Sequence, residues 1–90
     1  MRDAFAAHQL WEGDDWDNLE PMVRRLLRYM IEREQANLDD LCLCVWGEEC
    51  SLVSESARQT ATSKANNFLA KRGERRTLKK VKGELVLRWE

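Results

Sequence analysis

The sequence predicts a small α+β domain that is mostly α. Three segments place apolar residues at helical spacing, and the C-terminal segment alternates apolar and polar residues around a Lys-Gly pair. The chain has 90 residues, of which 43% are hydrophobic and 34% charged, as expected of one globular domain with a modest core. We therefore expect a domain over residues 19–90, preceded by an acidic N-terminal arm, residues 1–18, that is only partly ordered.

The first predicted helix lies in the segment NLEPMVRRLLRYMIERE. Pro21 suits its first turn, where a missing N–H removes no helical hydrogen bond, and Asp17 or Asn18 can cap it. The apolar residues at helical spacing predict one buried stripe, consisting of Val23, Leu26, Leu27, Met30 and Ile31.

The second predicted helix lies in the segment ANLDDLCLCVWGEE, with Asn37 as its N-cap and Gly47 at its end. Two aspartates fall in its first turn, where the helix dipole favours negative charge. The face expected in the core consists of Leu38, Leu41, Cys42 and Val45.

The third predicted helix begins at Ser54 or Ser56 and ends at Gly73. Its buried face is predicted to consist of Ala57, Ala61, Ala65 and Phe68, with Leu69 at the edge. The opposite face carries short polar side chains rather than long charged ones, namely Gln59, Thr62, Ser63 and Asn66. Such residues weaken a helix by competing for backbone hydrogen bonds, so their presence favours a binding surface.

A β-hairpin is predicted at the C-terminal end, with strands over residues 77–81 and 85–89. The Lys82-Gly83 pair suits the turn between them. Leu85, Leu87 and Trp89 alternate and would share the face that packs on the helices.

The net charge of −1 conceals an asymmetry along the chain. Residues 1–20 carry −5, residues 21–50 carry −2, and residues 51–90 carry +6, with ten basic and four acidic side chains. This asymmetry is typical of chains with a nucleic-acid or membrane partner. There is no apolar run of membrane-spanning length and no signal peptide, and the three cysteines are an odd number. We therefore expect a cytoplasmic protein with reduced thiols and no membrane partner.

The order of these elements resembles that of a winged helix-turn-helix domain over roughly residues 19–90. Locally, LDDLCLCVWGEE followed by a capped helix and a hairpin is similar to the DNA-binding domains of OmpR/PhoB-type response regulators. The second helix of those domains often ends in a Trp-Gly pair, found here as Trp46 and Gly47. The resemblance implies a three-helix core with a C-terminal wing, in which the third helix is the recognition helix and the hairpin is the wing.

The residues themselves favour binding of double-stranded DNA. Short polar side chains let a helix lie deep in the major groove, where Gln and Asn pair with adenine and Ser and Thr contact bases or phosphates. Lysines and arginines beside them would bind phosphates. The predicted DNA-binding residues are Arg58, Gln59, Thr62, Ser63, Asn66, Lys79, Lys80 and Lys82. A wider basic rim would include Lys64, Lys71, Arg72, Arg75 and Arg76. We expect a transcriptional regulator that acts as a homodimer, since one module of this size makes few base contacts.

Catalysis and cofactor binding find little support in the sequence. The one histidine, His8, belongs to no nucleophile motif, and no phosphate-binding or dinucleotide-binding loop is present. Cys42 and Cys44 would point away from each other on a helix, so with Cys50 they are expected to be buried or semi-buried thiols rather than metal ligands. We therefore expect no enzyme activity, no metal and no cofactor.

The alternative function is a winged-helix module that binds another protein and no nucleic acid. Residues 3–11 of the arm fit a short helix, and GDDWDN fits a loop. Trp11 and Trp16 either cover an apolar patch of the domain or contact a protein partner. A third hypothesis combines the two functions, because the acidic arm could block the basic face until a partner removes it.

Overall fold

The computed structural model describes residues 13–90 and confirms an α+β fold that is mostly helical. The three helices are α1 (Pro21–Met30), α2 (Leu38–Val45) and α3 (Glu55–Lys71). A four-residue helical turn, Asp14–Asp17, precedes α1, and a 3-10 turn, Cys50–Leu52, precedes α3. Within the described residues, no helix combines the length and apolarity that a membrane span requires.

The strands form one antiparallel sheet in the order β1-β3-β2. They are β1 (Gln35–Asn37), β2 (Leu78–Lys80) and β3 (Val86–Trp89). The predicted hairpin is confirmed, and Gly83 has the φ of +80° that its turn requires. The sequence did not predict β1, because three residues are too few to show an alternating pattern. This strand pairs with the second edge of β3, where Ala36 lies opposite Leu87.

The core predicted for the first two helices is confirmed. All five apolar residues of the α1 stripe and all four of the α2 face are buried. Helix α1 packs against both α2 and α3. As predicted, the side chain of Asn37 caps α2 by accepting a hydrogen bond from the Asp39 N–H at 2.7 Å.

Several local predictions were wrong. The segment GDDWDN was predicted as a loop, but it contains the helical turn Asp14–Asp17. The N-cap of α1 is Glu20, and its side chain makes no capping hydrogen bond, because Asp17 and Asn18 belong to the preceding helical turn. Ala57 is exposed, since helical spacing assigns a face but does not say where along the helix its neighbours begin. Leu85 is 53% exposed because it precedes β3, so strand alternation does not govern it.

Trp16 belongs to the core rather than to a loosely ordered arm. It is 3% exposed, and its ring lies 5.7 Å from that of Phe68 at an angle of 58°. The Arg28 guanidinium lies over the same indole at 5.4 Å, and Arg24 donates to the backbone carbonyl of Asp17 at 3.2 Å. Of the two alternatives for this tryptophan, the structure supports packing on the domain. The predictions for residues 1–12, among them a helix over 3–11, His8 and Trp11, lie outside the described residues.

Candidate nucleic-acid interface

Helix α3 lies with one face in the core and the other exposed. Its N-cap is Ser54, whose hydroxyl accepts from the Ala57 N–H at 3.0 Å, and Gly73, with a φ of +83°, follows its end. Its buried residues are Ala61, Ala65, Phe68 and Leu69. On the other side Gln59 and Ser63 are exposed, while Thr62 and Asn66 are half-buried. The predicted polar face therefore exists, and exposed and half-buried residues alternate along it.

A groove of about 340 Å³ separates this face from strand β2, and we call it the α3–β2 groove. Seven of the eight predicted DNA-binding residues line it, namely Arg58, Gln59, Thr62, Ser63, Asn66, Lys79 and Lys80. The eighth, Lys82, lies in the adjacent hairpin turn. Residues far apart in sequence thus converge on one surface.

The groove also contains residues that sequence reasoning missed. Its floor is formed by Leu38, Leu78 and Leu87, and Glu55 and Asn67 contribute to its wall. The two β-strand leucines were predicted as strand residues, but only the tertiary structure shows that they meet the first residue of α2 beneath the polar face. Asn67 follows Asn66 in the sequence, but it was not among the residues predicted for the polar face or for DNA binding.

Asn66 joins α3 to the hairpin. Its side-chain carbonyl oxygen accepts from the Leu78 N–H at 2.7 Å, and its amide nitrogen donates to the Leu78 carbonyl at 3.0 Å. Both groups of Leu78 face away from β3, because the adjacent residue Thr77 makes the paired bonds with Glu90. The amide of Asn66 therefore takes the place of a neighbouring strand at this sheet edge.

Two other polar residues of the face make bonds within α3. The Thr62 hydroxyl donates to the Arg58 carbonyl at 2.8 Å, and the Gln59 amide lies 3.4 Å from a carboxylate oxygen of Glu55. Both partners are neighbours one helical turn earlier. Gln59 is exposed, so its weak contact leaves it accessible to a ligand in the groove.

Lys79 and Lys80 lie on opposite faces of the sheet. Leu78 is buried, so strand alternation places Lys80 on the same face as Leu78, toward α3 and opposite Leu87. Lys79 points to the other face, where its ammonium group lies 3.8 Å from a Glu90 carboxylate oxygen. Although both contribute to the groove wall, only Lys80 directs its charge along the α3 side.

Several basic residues of the predicted rim have partners within the domain. Lys64 pairs with Glu20 at 2.5 Å across from α1. The guanidinium of Arg72 lies over the Phe68 ring at 4.8 Å, and that of Arg76 lies over the Trp89 ring at 4.6 Å. Arg72 and Arg76 therefore pack on aromatic rings, whereas Lys71 and Arg75 of the predicted rim are exposed. The side chains lining the groove include three cations and one carboxylate.

The cysteines differ in exposure. Cys42 and Cys50 are buried, whereas Cys44 is exposed, so the expectation of buried or semi-buried thiols was wrong for Cys44. Burial raises the pKa of the Cys42 thiol to about 11, and its hydrogen bond with Cys50 contributes to the same shift. Both effects keep Cys42 protonated at neutral pH and therefore unreactive. Among residues 13–90, no three His, Cys, Asp or Glu side chains are grouped so as to hold a metal ion.

Glu74 and Arg76 hold the segment between α3 and the hairpin. A Glu74 carboxylate oxygen accepts from the Arg76 N–H at 3.0 Å and from its Nε at 2.9 Å. Burial alone would raise the pKa of Glu74, but the hydrogen bonds and positive charge of Arg76 outweigh it and hold that pKa below its usual range. Since Arg76 also covers Trp89, this pair links the loop to β3.

Replacing Glu74 by glutamine is expected to lower the free energy of unfolding at neutral pH by about 1–3 kcal/mol, because a charge-assisted hydrogen bond is lost. The pKa of Glu74 is lower in the folded than in the unfolded chain, so its contribution is present above the usual glutamate pKa of about 4.5. It is lost as the pH falls through the lower, folded-state pKa. Urea unfolding from neutral to strongly acidic pH should therefore show the two stability curves converging at the acid end.

The control for this measurement is Glu84→Gln, which changes an exposed carboxylate in the hairpin turn. We expect it to alter stability by no more than about 0.5 kcal/mol at any pH. A Glu74→Gln deficit that keeps its full size in strong acid would show that the carboxylate charge is not the cause.

Comparison of the chain with protein-family models, with curated proteins and with solved structures finds no significant match.

Proposed function

We propose that the protein is a winged-helix DNA-binding protein that acts as a transcriptional regulator. The observation that carries the proposal is the α3–β2 groove, where the polar face of α3 and the basic strand β2 meet. The element order also supports it, since three helices are followed by a two-stranded hairpin. The short strand β1 pairs with β3 and so fixes the hairpin to the start of α2.

In this proposal, α3 enters the major groove and the hairpin contacts the phosphate backbone. Of the predicted polar face, Gln59 and Ser63 are exposed and line the α3–β2 groove, so they are assigned to base edges. Arg58, Lys80 and Lys82 are assigned to phosphates, which they attract whatever the sequence. Asn66 is assigned to holding the wing in place rather than to base contact, because its amide is bonded to Leu78.

The test is a titration of the protein against mixed random-sequence duplex DNA at low and moderate salt, followed by fluorescence anisotropy. Binding that weakens steeply with salt is expected, because phosphate contacts release counterions. A folded protein that does not bind at low salt would overturn the proposal. It would direct attention to protein partners, for which Leu43 and Leu52, 52% and 67% exposed, offer apolar surface.

The two neighbouring lysines of β2 should differ in their effect on DNA binding. Lys80→Gln is expected to weaken binding to all sequences and to reduce the slope of log affinity against log salt by about 1, as the loss of one phosphate contact does. Lys79→Gln should have a clearly smaller effect, because Lys79 points to the other face and lies beside Glu90. Anisotropy titrations of both variants at four salt concentrations measure the two slopes. Equal slopes for the two variants would contradict the proposed placement of the wing.

A further inference from the structure

The floor of the α3–β2 groove is apolar, and the proposed binding of DNA does not require an apolar floor. Leu38, Leu78 and Leu87 come from α2, β2 and β3, and they line the groove although each is at most 3% exposed. Phosphates and base edges would contact the polar rim above them. An apolar floor beneath a small number of polar groups is the usual construction of a small-molecule site, and about 340 Å³ falls within the usual range of such sites.

The rim supplies positive charge directly above this floor. Lys80 lies opposite Leu87 on the α3 side of the sheet, and its ammonium group has only a long contact, 3.5 Å, with the Val81 carbonyl. Arg58 lines the α3 side of the groove. Its Nε atom is buried and has no hydrogen-bond partner among residues 13–90. A buried donor without an acceptor is unfavourable, and an anionic ligand would supply the acceptor.

We propose that the α3–β2 groove binds a small organic anion with an apolar body, of the medium-chain or aryl carboxylate class. The carboxylate is held by Arg58 and Lys80, and the apolar body lies on the leucine floor. Glu55 is the one carboxylate among the lining residues, and it lies 3.4 Å from the Gln59 amide. Lys79 also lines the groove but points to the opposite face of the sheet, so Arg58 and Lys80 stand against this one carboxylate and the groove selects an anion over a cation.

A ligand in this position would fill the space between the polar face of α3 and the hairpin. Occupancy of the groove therefore competes with DNA, and this consequence rests on the proposed function. The ligand site itself does not rest on the proposed function, because the same residues form the groove whether or not the protein binds DNA. Binding of the anion and its effect on DNA are accordingly measured separately.

The experiment compares three probes of equal chain length, octanoate, octan-1-ol and octylammonium, titrated into the uniformly ¹⁵N-labelled full chain. Octanoate is expected to shift the backbone amide signals of groove residues, with octan-1-ol weaker and octylammonium without effect. Arg58→Gln and Lys80→Gln should each weaken octanoate binding by at least about 5-fold, which corresponds to about 1 kcal/mol. The same spectra show whether each variant is folded.

Lys82→Gln is the matched control, because Lys82 carries the same charge in the hairpin turn but does not line the groove. It should leave octanoate affinity unchanged while weakening DNA binding. Three results would overturn the site: no octanoate binding at millimolar concentration, shifts located elsewhere, or equal binding of octylammonium. If the protein binds octanoate but does not bind DNA, the result would support the ligand site and overturn the proposed function. Octanoate that binds but does not displace bound DNA would overturn the competition.

Discussion

Replacing Trp16 by alanine is expected to lower the free energy of unfolding by about 3–5 kcal/mol, the usual cost of removing a buried aromatic side chain. The indole is 3% exposed and lies against Phe68, and the Arg28 guanidinium lies over the indole ring. A small α+β domain has a total stability of only about 5–15 kcal/mol, so this loss should be a large fraction of it. Urea denaturation followed by circular dichroism measures the difference.

Trp16→Phe is the informative control for this prediction. Phenylalanine keeps an aromatic ring against Phe68 but has less volume, so we expect a smaller loss than for alanine. If Trp16→Ala costs no more than about 0.5 kcal/mol, as an exposed residue would, then the helical turn Asp14–Asp17 does not contribute to the core. The boundary between the arm and the domain would then lie after residue 18, as predicted from the sequence.

The burial of Trp16 determines how the hypothesis that the acidic arm blocks the basic face can be tested. Deleting residues 1–18 would remove a core side chain together with the acidic residues, so any change in DNA binding could reflect partial unfolding. Replacing Asp14 and Asp15 by asparagine removes charge from exposed positions and leaves Trp16 in place. Tighter DNA binding by that double variant would support the hypothesis without disturbing the core.

The three helices could be predicted from the sequence because their signals are local. The stripe of α1 and the face of α2 recur at helical spacing, and each helix has a recognisable boundary residue, such as Pro21, Asn37 or Ser54. The hairpin was likewise predictable from Gly83, which permits the backbone conformation of its turn. Strand β1 was not, because it exists only through pairing with β3, a partner about 50 residues away.

The candidate site was predictable in composition but not in construction. The polar face of α3 and the lysines of β2 were identified from residue type and charge, and the structure brings them to one groove. The floor of that groove was missed because Leu38, Leu78 and Leu87 each look like ordinary core residues in their own segments. The different directions of Lys79 and Lys80 depend on the register with β3, which adjacent sequence positions do not reveal.

Asn66 shows most clearly how the tertiary structure changes the meaning of a residue. On the sequence it belongs to the polar face and is a candidate for contact with adenine. In the structure it bonds both backbone groups of Leu78. Asn66→Ala is therefore expected to lower the free energy of unfolding by about 2–4 kcal/mol, because it leaves a donor and an acceptor without partners at a partly buried sheet edge. Urea denaturation measures this loss, and Asn67→Ala, which removes the neighbouring exposed amide, should cost less than about 0.5 kcal/mol.

The same variant separates a structural role of Asn66 from a role in base reading. In Asn66→Ala the two hydrogen bonds between α3 and Leu78 of the hairpin are lost. The hairpin is then held less firmly against α3, so phosphate contacts from the wing should weaken for every DNA sequence alike. Gln59→Ala should instead relax the preference at a single base pair, by about 1–3 kcal/mol, with stability unchanged. Binding of both variants to a panel of single-base-pair substitutions of the preferred site distinguishes the two patterns. If Asn66→Ala were as stable as the parent and relaxed one base pair only, Asn66 would be a base-reading residue and its bonds to Leu78 would not hold the wing.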